Sequence, residues 1–180
     1  MNLEDVFPYV KVPIEDDTGS AVRVSGADSL VFRELPCGLL VLYLVDRPDC
    51  FEYVQNRHLD ELKLDLEDLH HHALRNLARR ANGSVRMEPY ETVSLLFFDG
   101  NLEASLILLD DLWDNFLSRF VEHDFVVALP SRDVLAFCDS GSAEGIKELK
   151  GVISRVWTTG DHLISNKLYR RHDHSWVLHE

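Results

Sequence analysis

Apolar residues fall along this chain in two patterns, short unbroken runs and steps of three and four, and the two alternate from one end to the other. The unbroken runs predict strands. Leu39 to Val45 is apolar throughout, as in a strand covered on both faces, while Phe51 to Gln55 mixes polar and apolar residues as an outer strand does. Arg47, Pro48 and Asp49 form the turn between them. Val93 to Phe98 and Leu102 to Leu108 are two further strand-like runs, joined through Asp99, Gly100 and Asn101, and Asp-Gly is a hairpin signal. The clearest pair is Phe125 to Leu129 and Val134 to Cys138, split by Pro130, Ser131, Arg132 and Asp133. It predicts a buried hairpin whose tip carries one arginine and one aspartate.

Steps of three and four predict helices. Leu62, Leu66, Leu69, Ala73, Leu74, Leu77 and Ala81 share one face of a helix from about Asp65 to Ala81. Asp65 suits its N-cap, Glu67 and Asp68 its first turn, Arg79 and Arg80 its last, and Asn82 with Gly83 its stop. A second helix begins near Asp110 and buries Leu112, Trp113, Phe116, Leu117 and Phe120; a third, capped by Ser142, buries Ile146, Leu149, Val152, Ile153 and Val156 and ends at Thr158 to Gly160. Leu168 to Glu180 predicts a last hairpin turning at His172, Asp173 and His174. The order is strand, strand, helix three times, then a hairpin. Helix starts near 65, 110 and 142 are unevenly spaced, which excludes a fixed-period solenoid. The expectation is an α+β fold: a single mixed, mostly antiparallel sheet covered by helices. Residues 1–180 fit one domain, with residues 1–20 a lead-in broken by Pro8 and Pro13, ending in an acidic loop at Glu15, Asp16, Asp17, Thr18 and Gly19, and supplying no core element.

A domain of 180 residues buries roughly 70% of its unfolded surface and needs no disulfide or metal to fold. Cys37, Cys50 and Cys138 are odd in number and widely spaced, which suggests free thiols in a reducing, cytoplasmic compartment. The N-terminus lacks the basic start and apolar core of a signal peptide, and no long uncharged apolar stretch occurs. Thirty-one acids against eighteen bases leave a net charge of −13. That field argues against DNA, RNA and anionic membranes as partners and attracts a basic protein, faster at low salt.

Few residue groups carry chemistry. His70, His71 and His72 point about 100° apart on a helix and cannot converge on a metal, so they belong to a solvated face. His172 and His174, two apart on a strand, would face the same way and are the weak candidate metal pair, though no third ligand is evident and a polar turn accounts for them better. Asp110 and Asp114 lie on one helical face, where they could hold a hard cation, but acids favour a helix N-terminus without any ligand. Ser105 and Ser131 lack a nucleophile elbow, and Cys138 in an apolar strand is an inert thiol. The stretch from Gly141 to Gly145 lacks a phosphate-loop ending, and no cofactor is implied. Arg132 and Asp133 remain as the binding candidates: a turn arginine can hold an anion bidentately, whereas the aspartate can simply close the turn.

The Leu39 to Val45 run, the helix carrying Ala73, Leu74, Arg75, Asn76 and Leu77, the Glu103 to Leu108 run before Trp113, Val126 to Leu135 around Pro130, Arg132 and Asp133, and the Leu163, Ile164, Ser165 and Tyr169 region together resemble the YtpQ-like family of uncharacterised bacterial proteins. The resemblance implies a shared fold and supplies no catalytic residue. Acidity and the shortage of catalytic groups favour a non-catalytic protein-interaction domain, for example an inhibitor or immunity-type protein for a basic partner. The rival is a small-molecule binder or hydrolase with its site at Arg132 and Asp133.

Overall fold

Leu40–Asp46 is the strand on which the first half of the chain is built, and its partners explain its unbroken apolar run. In a computed structural model, which describes residues 1–13 and 26–179, strand β1 (Val6–Lys11) pairs antiparallel along the whole of one side of β3 (Leu40–Asp46). Strands β2 (Phe32–Glu34) and β4 (Phe51–Tyr53) share the other side, β2 against Leu40 to Leu42 and β4 against Leu44 to Asp46. Val41 to Val45 are buried. Helices α1 (Asn56–Leu62) and α2 (Leu66–Ala81) follow. The Asp65 carboxylate accepts from Asp68 N at 2.8 Å, as an N-cap does, and Leu69, Ala73 and Leu77 are fully buried. Asn76 Nδ2 donates to the carbonyls of Leu3 and Val6, and Arg80 pairs with Asp46 at 2.7 Å while lying over the Phe7 ring. These polar contacts tie α2 to β1 and β3.

The second sheet has the order β10-β9-β7-β8-β6-β5. Its strands are β5 (Arg86–Tyr90), β6 (Val93–Phe97), β7 (Phe125–Ser131), β8 (Val134–Asp139), β9 (Leu168–His172) and β10 (Ser175–Leu178). Helix α3 (Ala143–Thr159), capped by Ser142 Oγ on Gly145 N, packs Leu149, Val152 and Ile153 against Val126, Ala128, Ala136 and Cys138 on one face. Alternation places Phe125 and Phe137 on the other face, where Trp113 meets them and Trp176 edge-to-face at 5.0 to 5.8 Å. Trp113 Nε1 donates to Leu106 O and Trp176 Nε1 to Ile107 O, so both indoles are satisfied where they are buried. Both faces of β7 are covered, and every residue of it is buried.

The α+β class holds, but the single sheet does not. Residues Met1–Arg80 and Ala81–Glu180 form two compact units, each with its own sheet, and every strand pair is antiparallel. Both sides of β3 are filled by strands of its own unit. The lead-in does contribute a core element: Val6, Phe7, Tyr9 and Val10 are buried in β1, and Pro8 is accommodated because β1 is an edge strand. The acidic loop at Glu15 to Gly19 lies outside the described residues.

Leu102 to Leu108 is not a strand. Asp99 Oδ1 accepts from Asn101 N and Leu102 N, and Glu103 Oε1 from Phe98 N and Gly100 N, which winds the chain into a 3-10 turn over Ala104–Leu108. β6 instead pairs with β5, whose Pro89 and alternating charges hide it from sequence patterning. The helix expected near Asp110 is a π turn over Leu112–Leu117 followed by a 3-10 turn over Ser118–Phe120. Trp113 and Leu117 are buried as expected, whereas Phe116 and Phe120 are 44% and 45% exposed. The wider π turn shifts the helical phase, so the three-residue steps of an α-helix no longer share its buried side.

Candidate functional site

The β7–β8 turn holds Arg132 and Asp133 by their backbone and nearest neighbours. Ser131 Oγ donates to Asp133 Oδ1 at 2.7 Å, Arg132 N donates to His162 O, and Arg132 O accepts from Ala104 N. Asp133 therefore closes its own turn, as an aspartate in that position does. The Arg132 guanidinium makes no hydrogen bond or ion pair among the described residues. Asp133 also lines an apolar recess of about 220 Å³ formed with Tyr90, Leu95, Val134, Val152 and Val156. A wider recess, about 460 Å³, opens beside α3 at Lys150, Trp157 and Asn166 and includes none of the candidate site residues.

A denser polar cluster forms where the π turn meets the β9–β10 hairpin. Arg171 is only 5% exposed, and its Nε and Nη2 donate to Asp114 at 2.9 and 3.0 Å while Nη2 also reaches Asp110 at 2.9 Å. Asp110 and Asp114 do share a cation, and it is this guanidinium, which also lies over the Trp176 ring. Arg171 Nη1 is buried without a partner among the described residues. Burial works against the charge of Arg171, but the hydrogen bonds it donates to Asp114 and Asp110 outweigh it and raise its pKa. The same bond to Arg171 holds the Asp114 carboxyl below its ordinary value, with burial opposing and His174 assisting.

His174 Nδ1 lies 2.8 Å from Asp114 Oδ2, with its ring largely exposed. Asp173 and His174 both have positive φ, +47° and +59°, in the two-residue turn closed by the His172 and Ser175 pair. That left-handed turn breaks the alternation of the strand, so His172 and His174 do not face the same way as a metal pair: His172 turns to Asp173 and His174 to Asp114. Among the described residues no group of three or more metal-ligating side chains occurs.

The remaining candidates are held by structure. His70 is buried, not solvated, with Nδ1 2.9 Å from the Tyr43 hydroxyl; burial lowers the histidine's pKa and pushes the phenol's up to about 12. Burial also pushes the Cys138 thiol up to about 12, with Asp139 adding to the effect. Asp139 accepts from the backbone N–H groups of Glu122, His123 and Gly141 and from His123 Nδ1. Burial tends to raise its pKa, but these donors prevail and hold it at about 2. Arg171 escaped sequence reasoning because its partners are 57 and 61 positions away.

Compared with known proteins, the chain matches no family model, no curated protein and no solved structure. No helix among the described residues is long and apolar enough to cross a membrane.

Proposed function

We propose that this is a non-catalytic interaction protein that takes a basic protein partner on an acidic surface, in the manner of an inhibitor or immunity-type protein of a reducing, cytoplasmic compartment. One observation carries the proposal: Asp110 and Asp114 converge on a single buried guanidinium, that of Arg171, with the exposed Asp111 and Asp173 next to these residues along the chain. Arg171 neutralises part of that charge internally, and the outward oxygens keep a negative field, in keeping with the −13 of the whole chain. Such a field steers and selects a cationic partner more than it adds affinity. The proposed kinship with the YtpQ-like family contributes a fold and no chemistry.

The second reading, a small-molecule site at Arg132 and Asp133, is supported by the Arg132 guanidinium, which has no partner among the described residues, and by the apolar recess that its neighbour Asp133 lines. The recess is smaller than the roughly 300 to 1,000 Å³ usual for ligand sites, which favours the first reading. One experiment separates them. A partner isolated by affinity capture is titrated calorimetrically against wild type, an Asp110→Asn/Asp111→Asn/Asp173→Asn variant and Arg132→Ala. Weaker binding on adding salt and in the triple variant, with Arg132→Ala unchanged, is the expected result. Binding lost in Arg132→Ala alone, with its melting temperature intact, transfers the site to the hairpin tip.

A further inference from the structure

The π turn that carries Asp114 and the 3-10 turn that follows it expose two aromatic rings. Phe116 and Phe120 stand edge-to-face with centroids 6.4 Å apart, and Arg119 lies over both, 4.7 and 5.0 Å from their centroids. Each ring is nearly half exposed although the adjoining Trp113 and Leu117 are fully buried. Two large apolar rings side by side at the surface are the kind of anchor on which interfaces concentrate their energy. Arg119 has no carboxylate partner among the described residues, and its place over the rings shows that their faces accept a cation.

Acids border the pair on both sides along the chain: Asp110 and Asp111 before it, Glu122 after it, all exposed. An occupant must therefore bring apolar side chains to the rings and cations to their rim. Two rings 6.4 Å apart can be spanned by two apolar side chains one turn apart on a helix, which lie roughly 5 to 6 Å from each other. We infer that Phe116 and Phe120 form the docking anchor for a basic amphipathic helix of a partner protein, two apolar residues one turn apart seating on the rings and flanking lysines or arginines meeting Asp110, Asp111 and Glu122. This rests on the basic-partner proposal above and gives that partner its contact surface.

The test uses the full chain and two synthetic probes of equal charge, an amphipathic leucine–lysine helix and an oligolysine, in low-salt calorimetry. Wild type is expected to bind the leucine–lysine helix about tenfold more tightly than oligolysine. In Phe116→Ser/Phe120→Ser that advantage disappears, with oligolysine binding unchanged. Equal affinity of wild type for both probes overturns the docking anchor and leaves the basic-partner proposal standing. Failure of both probes to bind overturns both. Sedimentation showing a wild-type dimer that the double variant abolishes makes a second copy the occupant and overturns the helix assignment. Should the double variant melt early, ring resonances of wild type decide: shifts at Phe116 and Phe120 on adding the leucine–lysine helix support the anchor, and unmoved rings reject it.

Discussion

Asp139 shows how completely one side chain can be committed to structure. Three backbone N–H groups and a histidine converge on its carboxylate, fastening residues 122, 123 and 141 to the end of β8. Its folded pKa of about 2 lies below the roughly 3.9 of an unfolded aspartate, so the stabilisation is full above about pH 4 and is lost as pH falls towards 2. Asp139→Asn is expected to cost on the order of 1 to 2 kcal/mol at neutral pH after allowance for solvent screening, and progressively less towards pH 2. Urea melts of both proteins across that range check it, and a pH-independent difference would refute the assignment. Sequence alone marked Asp110, Asp114 and His174 as residues of interest but could not join them, because the residue that does so, Arg171, comes from a distant strand. The burial of His70 is illegible in the sequence for a related reason: its partner Tyr43 lies on β3, 27 residues earlier.

Elements were legible where local signals agreed with tertiary packing. Helix α2 has its cap, charge gradient, apolar stripe and glycine stop all in register, and α3 has Ser142 and its stripe. The failures lie between Asp99 and Phe120, where side-chain oxygens of Asp99 and Glu103 divert the backbone and a π turn changes the phase of the apolar pattern. A substitution pair tests that phase. Trp113→Ala should cost about 3 to 5 kcal/mol, whereas Phe116→Ala should fall within about 0.5 kcal/mol of wild type. Similar losses for both in denaturant melts would restore an ordinary α-helix with both rings packed. α3 shows a further constraint: a Cβ on Gly145 would lie 2.7 Å from the Cβ of Cys138, so glycine is what lets the helix start this close to β8.

Across the molecule, the strands bonded on both sides are β3 in the first unit and β9, β7, β8 and β6 in the second. Amide hydrogen exchange should be slowest in those strands and faster in β5 and β10, which pair on one side only. Uniform protection across the second sheet would contradict the strand order. The two edges of that sheet are also unequal towards other chains. At β5, Tyr90 and Val93 close a two-residue turn, so the adjoining Pro89 and Ser94 positions do not bond each other and residue 89 points its backbone outward. A proline there withholds an N–H from any strand arriving from solution, leaving a missing rung in the ladder that aggregation would have to build. At β10 no proline intervenes, and its edge is only four residues long. Misassembly of this sheet is thus unequal at its two edges: Pro89 opposes a strand arriving at β5, and at β10, where only shortness opposes one, a proline at an outward-facing position would add the same protection.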